Sequence, residues 1–260
     1  MQNFSLNAPL LANLKSVDPD RYRAALFADK KQRAQLMTLY AFHAELAKVP
    51  EIVSETMLGE IRYQWWRDAI AEIYTQVEAG AQKAVRSHEV VTPLAEVLKA
   101  CDMPRFWVDK LIDGRARDLD PQPFANIEAA RNYCAQTSGV LMQMAVHSLG
   151  GDADEGALAA GEAWGLTGLA RSWSYYTNGM LSELSFEEVC DAALTAHKRA
   201  KAELSQLPAA VFPAVAYAAL VPKFLTRLTH SGHDAATSGV HYAPVLKQLR
   251  LMGAVITGRI

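Results

Sequence analysis

Two pairs of acidic residues have a spacing that could hold a hard cation. Glu51 and Glu55 stand four positions apart, as do Asp109 and Asp113, so each pair would share one face of a helix. Mg²⁺ binds such carboxylates, usually with further oxygen ligands from a substrate phosphate. A solvated, salt-bridged helix face is the more frequent use of this pattern, and the alternating charges that follow Asp113 favour it.

The densest aromatic and charged segment runs from residue 58 to 69 and contains adjacent tryptophans, Trp65 and Trp66. Adjacent helix positions point about 100° apart, so we expect one indole in the core and the other at a second surface or cavity wall. Arg62 and Arg67 lie close to them in the sequence, and tryptophan and arginine are enriched at protein interfaces. The segment therefore predicts either an aromatic core or a binding surface.

Other chemistry has weak support. Phosphate-loop, zinc-peptidase and serine-hydrolase motifs are absent from the sequence. The cysteines lack metal-ligand spacing, which indicates reduced thiols: Cys101, Cys134 and Cys190. Three histidines cluster beside Ser-Gly pairs, which favours an exposed loop over a metal site: His230, His233 and His241. We therefore expect no metal site from these residues.

Charge and hydropathy exclude two classes of function. Lys and Arg number 26 against 28 Asp and Glu, so the concentrated positive charge that nucleic acid requires is lacking. The longest strongly apolar run, 209–221, is about 13 residues and contains Pro213, whereas a membrane-spanning helix needs roughly 20. No secretory signal precedes it, which predicts a cytoplasmic protein. Apolar side chains near this run are expected in the core or, alternatively, in a peripheral membrane contact: Val211, Phe212, Tyr217, Leu220, Val221, Phe224 and Leu225.

The elements that must position these residues are helices. Asp18-Pro19 is typical of a helix start, and the prolines of 120–123 break the helical pattern. The helical period of apolar residues predicts helices over about 22–47, 57–77, from 92 onward, 103–117, 126–149, 155–175, 185–206, 209–230 and 244–256. Within 209–230, Pro213 and Pro222 are predicted as kinks or boundaries. Strand-like alternation is absent over any length. The sequence therefore predicts a single all-α domain of about ten helices over residues 1–260.

An ordered set of short motifs resembles the squalene/phytoene synthase family of head-to-head prenyl transferases. It extends from about Tyr22 to Ser174 and consists of Tyr40-Ala41-Phe42-His43, Gly59-Glu60-Ile61-Arg62, Gln64-Trp65-Trp66-Arg67-Asp68, Leu111-Ile112-Asp113-Gly114-Arg115, Asp118-Leu119, Tyr133-Cys134-Ala135, Ser138-Gly139 and Gly161-Glu162-Ala163-Trp164-Gly165-Leu166-Thr167 with Arg171. The resemblance implies an isoprenoid-synthase-like helical bundle around a central cavity. It also implies two Asp-rich motifs on facing helices, whose Mg²⁺ ions hold the prenyl diphosphates.

The sequence departs from the family pattern at both acidic motifs. The place of the first reads Ala47-Lys48-Val49-Pro50-Glu51, and the acidic positions of the second fall near Ser172 and Tyr176. The resemblance is greatest to the branch of the family that contains the mitochondrial complex I assembly factor and its bacterial, especially alphaproteobacterial, relatives. It implies a bacterial protein that is non-catalytic and binds a partner in respiratory-complex assembly.

Two alternatives remain open at this point. One is an active prenyl transferase that uses Mg²⁺ through altered ligands, and the other is a module that binds a prenyl diphosphate or another apolar ligand without chemistry. Candidates for altered catalytic or metal ligands are Glu45, Glu51, Glu55, Asp109, Asp113 and Asp118. Candidates for ligand binding are Tyr40, Phe42, Lys48, Arg62, Trp65, Trp66, Arg67, Arg115, Tyr133 and Arg171.

Overall fold

The computed structural model describes residues 7–78, 86–152, 154–176, 179–230 and 242–260, and no β-strand occurs among them. The helices are α1 (Ala8–Val17), α2 (Pro19–Ala25), α3 (Lys30–Ile52), α4 (Thr56–Glu78), α5 (Val91–Ala100), α6 (Arg105–Ala116), α7 (Ile127–Cys134), α8 (Val140–Ser148), α9 (Asp154–Arg171), α10 (Trp173–Tyr176), α11 (Phe186–Glu203), α12 (Val221–Leu228) and α13 (Pro244–Thr257). Short 3₁₀ turns lie at 117–119, 204–206, 212–214 and 216–220. The predicted all-α bundle is confirmed.

Short polar side chains begin several helices. Asp18 accepts a hydrogen bond from a backbone N–H of the first turn of α2, and Pro19 occupies the start of that turn. Asp29 caps α3 in the same way. Ser185 and Glu188 form a reciprocal capping box at the start of α11. Local sequence therefore sets where these helices begin.

The predicted helix over 22–47 is wrong in extent. α2 ends at Ala25, and α3 begins at Lys30 after a turn that the Asp29 cap closes. α3 then continues through Pro50 to Ile52. A proline in a helix leaves the carbonyl four residues earlier without its N–H donor, and here the Tyr63 hydroxyl donates to the carbonyl of Leu46 at 2.9 Å. This substitute bond satisfies the carbonyl that Pro50 leaves unpaired.

The predicted helix over 209–230 is also wrong in extent. The chain forms 3₁₀ turns at 212–214 and 216–220, and the α-helix begins only at Val221. Pro213 and Pro222 each lie in the first two positions of a new helical segment, where the missing N–H costs least. The two prolines therefore divide one apolar run into short pieces.

Helix α9 lies at the centre of the bundle and contacts α7, α8, α11 and α12. At Gly161 an added Cβ would come within 2.4 Å of the Ser138 carbonyl oxygen in the π-helical turn 135–139, so close approach requires glycine. Beside it, the buried Glu162 accepts hydrogen bonds from Arg131 at 2.7 Å and Arg199 at 2.6 Å. These contacts tie α9 to α7 and α11.

The C-terminal apolar side chains that could have formed a membrane contact are buried in the core. They are Val211, Phe212, Tyr217, Leu220, Val221, Phe224 and Leu225. The core alternative is therefore confirmed, and a membrane contact through these residues is wrong. Among the described helices, none is long and apolar enough to cross a membrane.

Candidate functional site

A groove between α3 and α4, which we name the α3–α4 groove, contains the two tryptophans. Its volume is about 350 Å³. Its lining residues are Glu45, Val49, Ile52, Ile61, Arg62, Trp65, Trp66 and His88. The groove therefore combines aromatic walls with a cation and a carboxylate.

The two indoles lie in different environments, as the sequence predicts. Trp66 is 4% exposed, and its ring packs edge-on against Phe42 at a centroid distance of 5.2 Å. Trp65 is half-buried, and the Arg86 guanidinium lies 5.0 Å from its ring centroid. Arg86 also pairs with Glu72, which lies about two turns after Trp65 on α4. Trp66 therefore anchors the groove in the core, whereas Trp65 is a half-buried part of its wall, in contact with Arg86 and His88.

Large apolar side chains are exposed beside the groove. Met57 and Ile61 are 72% and 60% exposed, and Ile52 and Leu58 are exposed as well. Grouped exposed apolar side chains are typical of interaction sites. Arg62 forms no ion pair with any residue that the structure describes, so its guanidinium is available to an acidic partner. We name the groove and these four apolar side chains the α3–α4 surface.

A second groove, between α1 and α3, shares Ile52 with the first and has a volume of about 390 Å³. It contains the place of the first acidic motif that the resemblance implies: Ala47, Lys48 and Glu51 line it, together with the buried His43. Lys48 and Glu51 are exposed. The groove therefore offers the Glu51 carboxylate beside an ammonium group, and its second carboxylate, Asp18, is paired with Arg21 at 2.7 Å.

Below this groove lies a network that we name the inner polar cluster. Arg115 Nη1 donates to Asp118 Oδ2 and to the Tyr133 hydroxyl, each at 3.0 Å. Arg115 Nη2 lies 2.8 Å from Nε2 of His43, and the Tyr133 hydroxyl donates to Asp118 Oδ1 at 2.8 Å. Burial and the Arg115 charge lower the pKa of His43 well below its usual value, so the neutral imidazole accepts this bond. Both Nη atoms of Arg115 are therefore paired internally.

Asp20 is buried on α2 and meets three cationic side chains. Lys247 Nζ lies 2.9 Å from both carboxylate oxygens. Arg23 and Arg171 approach Asp20 at 3.4 and 3.8 Å, and the Arg171 guanidinium lies 4.2 Å from the ring centroid of Phe224. A buried carboxylate is tolerated only when it is paired. Arg171, predicted as a ligand-binding residue, is thus engaged within the protein.

Tyr40, another predicted ligand-binding residue, lies fully in the core. Its ring stands edge-on to Tyr217 at 6.2 Å. The Tyr40 hydroxyl and Nε of the neighbouring Arg21 are buried and have no hydrogen-bond partner among the described residues. Arg21 Nη1 donates to Asp18 at 2.7 Å. Tyr40 therefore belongs to a small group of polar side chains inside the bundle, away from the solvent-exposed grooves.

The acidic candidates do not converge on one site. Asp113 accepts a hydrogen bond from Arg67 at 2.9 Å, and Asp109 pairs within α6, as expected for a salt-bridged helix face. Glu51 and Glu55 are exposed near the α3–α4 connection, and Glu55 lies just before α4. Within the described ranges, no three potential metal ligands come together.

The predicted ligand-binding residues thus lie in several separate places. Phe42, Arg62, Trp65 and Trp66 belong to the α3–α4 groove or its floor, and Lys48 belongs to the α1–α3 groove. Arg115 and Tyr133 join the inner polar cluster, and Tyr40 lies in the core. The partly exposed Arg171 lies beside Asp20 of α2, and Arg67 pairs on the surface. Sequence reasoning did not identify His88, Asp20 and Lys247. Asp20 and Lys247 are 227 positions apart, so no local signal could pair them.

The cysteines are free, with Cys134 and Cys190 buried and Cys101 half-buried. Burial raises the pKa of the Cys190 thiol to about 12, so this side chain is a protonated thiol near neutral pH. His230 is exposed. His233 and His241, which the sequence placed with it in a loop, lie outside the described residues.

Residues 14–179 match the sequence profile of the squalene/phytoene synthase family. This match covers more than half of the chain, so the chain belongs to the squalene/phytoene synthase family. Its extent agrees with the region that the short motifs indicate.

The chain also has curated relatives of similar sequence. The bovine (Bos taurus) protein named NADH dehydrogenase (ubiquinone) complex I, assembly factor 6, is 26% identical over 256 residues, which cover 85% of this chain and 73% of the relative. The human (Homo sapiens) protein of that name is 25% identical over 250 residues, with the same coverage. The chain is therefore similar to assembly factors within this family.

Two solved structures share the fold. A dehydrosqualene synthase in complex with a ligand has a TM-score of 0.66 at 15% identity, covering 96% of this chain and 95% of that chain. A squalene synthase from Alicyclobacillus acidocaldarius has a TM-score of 0.66 at 14% identity, covering 84% and 91%. At these identities the comparison establishes the isoprenoid-synthase-like fold alone.

Proposed function

We propose that this protein is a non-catalytic member of its family that binds a partner protein and supports assembly of a respiratory complex. The names of the mammalian relatives support the process. The observation that carries the proposal is the α1–α3 groove, where Ala47 and Lys48 stand in the place of the first acidic motif. A bacterial cytoplasmic location, beside the membrane that holds such a complex, is part of the proposal.

The residues at the two motif positions do not fit Mg²⁺. The first place offers one carboxylate, Glu51, next to the Lys48 ammonium group, and the other carboxylate of the groove, Asp18, is paired with Arg21. The second place falls near Ser172 and Tyr176. Mg²⁺ prefers several carboxylate, phosphate or water oxygens in octahedral geometry, and a neighbouring positive charge opposes its binding. Diphosphate departs poorly unless cations neutralise the charge it acquires. The proposed function therefore contains no metal-dependent step.

Internal pairing also weighs against binding of a prenyl diphosphate without chemistry. That function would need arginines that can meet phosphate directly. Arg115 is bound to Asp118 and Tyr133, and Arg171 lies beside Asp20. Drawing Arg171 to a ligand would leave the buried Asp20 less well paired, and drawing Arg115 would leave the half-buried Asp118 without its ion pair, which is costly. The protein's own carboxylates thus occupy the cations that a diphosphate would use.

The α3–α4 surface is the proposed site for the partner protein. It places the Trp65 ring, the Arg62 guanidinium and exposed apolar side chains such as Ile61 on one side of the bundle. Tryptophan and arginine in partly enclosed surroundings are the residue types that contribute most to protein interfaces. An apolar segment of a partner that carries an acidic side chain would match this surface.

The test is complementation of a deletion strain of the source bacterium. We expect NADH:ubiquinone oxidoreductase activity of its membranes to fall on deletion and to return with the wild-type gene. A Trp65→Ala, Arg62→Glu variant should fail to restore it, although the protein accumulates normally. The matched control is Phe106→Ala with Lys110→Glu, an exposed aromatic and cation on α6, which should restore it fully.

Two results would contradict the proposal. One is unchanged enzyme activity in the deletion strain, and the other is full complementation by the groove variant. The diphosphate-binding alternative is tested separately by calorimetric titration with farnesyl diphosphate, with and without Mg²⁺. A saturable heat that Arg115→Gln abolishes would support that alternative, and a flat titration would remove it. The altered-ligand alternative requires enzyme activity that Glu51→Gln or Asp113→Asn reduces.

A further inference from the structure

Helix α13 is apolar on two opposite faces, although only one of them is covered by the protein. Leu251 and Ala254 are buried, with Lys247 beside them. On the other side, Val245, Leu249, Met252 and Ile256 recur at intervals of four, three and four residues, which places them in one line along the helix. A helix that is apolar all round is normally buried all round. The line of four side chains, which we name the α13 stripe, therefore lacks a covering partner.

The α13 stripe is strongly exposed. Val245 and Ile256, at its two ends, are 70% and 76% exposed. Leu249 and Met252 lie between them and are exposed as well, and Leu246 adds a further exposed side chain at its edge. Isolated exposed apolar residues are common, but a continuous line of them over three turns of helix indicates a contact surface.

The helix cannot turn this stripe inward without breaking buried contacts. Lys247 forms the buried ion pair with Asp20, and Arg250 Nε donates to the carbonyl of Ala219 at 3.2 Å. Both residues point away from the line of Val245 and Ile256. The orientation of the exposed face is therefore fixed by polar contacts on the opposite side.

The exposed charged side chains on α12 and α13 are cations. From residue 204 onward the sequence has five Lys or Arg and one acidic residue, Asp234, which lies outside the described residues. Lys223, Arg250 and Arg259 are exposed, and Arg227 stacks on the Tyr242 ring at 4.5 Å. Lys247 is buried in its ion pair with Asp20 on the opposite face, so the exposed cations of this region are Lys223, Arg250 and Arg259. The whole chain, by contrast, has a net charge of −2.

A groove between α12 and α13, of about 660 Å³, adjoins the stripe. Leu246 and Leu249 lie on one wall, and Lys223 and Arg250 are among the other lining residues. A cavity with apolar walls and cations around it suits a lipid whose headgroup is anionic. An apolar helix face flanked by Lys and Arg is the pattern of segments that lie in the interfacial region of a membrane.

We propose that the α13 stripe docks this protein on the surface of a bilayer that contains anionic phospholipid. The apolar side chains enter the boundary between headgroups and acyl chains, and the exposed cations Lys223, Arg250 and Arg259 pair with lipid phosphates. A partner protein is a weaker match, because exposed cations on both α12 and α13 suit a surface that is anionic throughout. This inference is independent of the partner-binding function proposed for the α3–α4 surface.

The test is flotation of the purified full chain with vesicles, either of phosphatidylcholine alone or with about one third phosphatidylglycerol. We expect binding to the anionic vesicles only, with a marked loss as NaCl rises from about 0.05 to about 0.5 M, because salt screens exposed charges. Replacing the four stripe residues with glutamine should reduce bound protein at least tenfold. The matched control, Met57→Gln, Leu58→Gln and Ile61→Gln on α4, should bind like wild type.

A second arm changes charge only. Lys223→Gln with Arg259→Gln, both exposed, should weaken binding to anionic vesicles and reduce its dependence on salt. Circular dichroism melting checks that every variant is folded. Three outcomes would overturn the proposal: no flotation of the wild type with anionic vesicles, equal flotation of the stripe variant, or a lipid-free dimer that the stripe variant dissociates. The last outcome would assign the stripe to a second copy of the chain.

Discussion

The α3–α4 surface and the α13 stripe expose similar apolar side chains but differ in the charges around them. Glu51, Glu55 and Glu60 stand near the first surface together with Lys48 and Arg62, so its border has both signs. The exposed charged residues described on α12 and α13, Lys223 and Arg250, are both cations. Apolar area sets how strongly a surface associates, whereas the surrounding charge selects the class of partner.

The two surfaces are also held in place by different forces. Trp66 anchors the α3–α4 groove through contacts with aromatic neighbours in the core. The ion pair between Asp20 and Lys247 anchors α13. Removing an apolar anchor destabilises the fold because it leaves a cavity. Removing one partner of a charged anchor destabilises the fold because it leaves a buried charge unpaired. The largest predicted effects follow from this difference.

Removal of the charged anchor is expected to cost the most. Asp20→Ala leaves Lys247 buried without its carboxylate and should lower the free energy of unfolding by about 3–5 kcal/mol. The double variant Asp20→Leu, Lys247→Met should recover much of this loss, because two apolar side chains can replace a buried ion pair. Urea unfolding measures both values. Equal destabilisation in the single and double variants would contradict the ion-pair anchor.

Removal of the apolar anchor should have a similar or slightly smaller effect. Trp66→Ala is expected to destabilise by about 3–5 kcal/mol, since it leaves a cavity beside Phe42. Trp65→Ala, at the half-buried position next to it, should cost about 1 kcal/mol. Thermal and urea unfolding of both variants checks this ratio. If Trp65→Ala were the more damaging change, the division between anchor and binding face would be wrong.

Acid should weaken the contact between α11 and the C-terminal region. Burial, with Lys201 and Arg250 nearby, lowers the pKa of His197 to about 4, against about 6.5 in the unfolded chain. The unfolded state therefore binds the proton first, and stability is lost as pH falls from about 6.5 towards 4. Between pH 7 and 4.5 the wild type should lose about 1–3 kcal/mol more than His197→Leu.

Urea unfolding at several pH values measures this loss, with the exposed His230→Gln as the control that keeps the wild-type slope. His43, whose pKa is also lowered by burial, should add to the loss in the same direction and remains in His197→Leu. A pH dependence identical in wild type and His197→Leu would show that His197 is not the buried neutral group the structure describes.

Changes to the exposed apolar side chains of the two surfaces should have the smallest effect on stability. Ile61→Gln and Leu249→Gln alter side chains that contact solvent, so each should change the free energy of unfolding by less than about 0.5 kcal/mol. Their effects should appear instead in complementation and in vesicle flotation, respectively. Exchange of the two phenotypes, with Ile61→Gln losing vesicle binding, would reverse the assignment of the two surfaces.

Sequence reasoning predicted the all-α fold because helix starts are local signals. Asp18-Pro19 and Pro244 mark helices that the structure contains at those places. It also predicted the different environments of Trp65 and Trp66 from helix geometry alone. Pro213 and Pro222 were predicted as kinks or boundaries, and each begins a new helical segment. The 3₁₀ form of the turns over 212–220 was missed, because the period of a short apolar run does not distinguish 3₁₀ from α-helical segments.

The sites were less predictable because their partners are distant in sequence. Arg115 meets His43 across 72 positions and Asp20 meets Lys247 across 227. The sequence shows which side chains are charged, but the fold decides which charges neutralise one another. The sequence also does not show which apolar side chains are exposed. The apolar run at 209–221 is core, whereas the apolar line on α13 faces solvent.

The most direct test of the central claim is a prenyl-transfer assay on the purified, folded protein. Radiolabelled farnesyl and geranylgeranyl diphosphate are incubated with Mg²⁺ and NADPH, beside an active squalene synthase as control. The proposed non-catalytic function predicts no prenyl product above background at any Mg²⁺ concentration. A Mg²⁺-dependent product from this chain would contradict it and would mean that other carboxylates hold the metal.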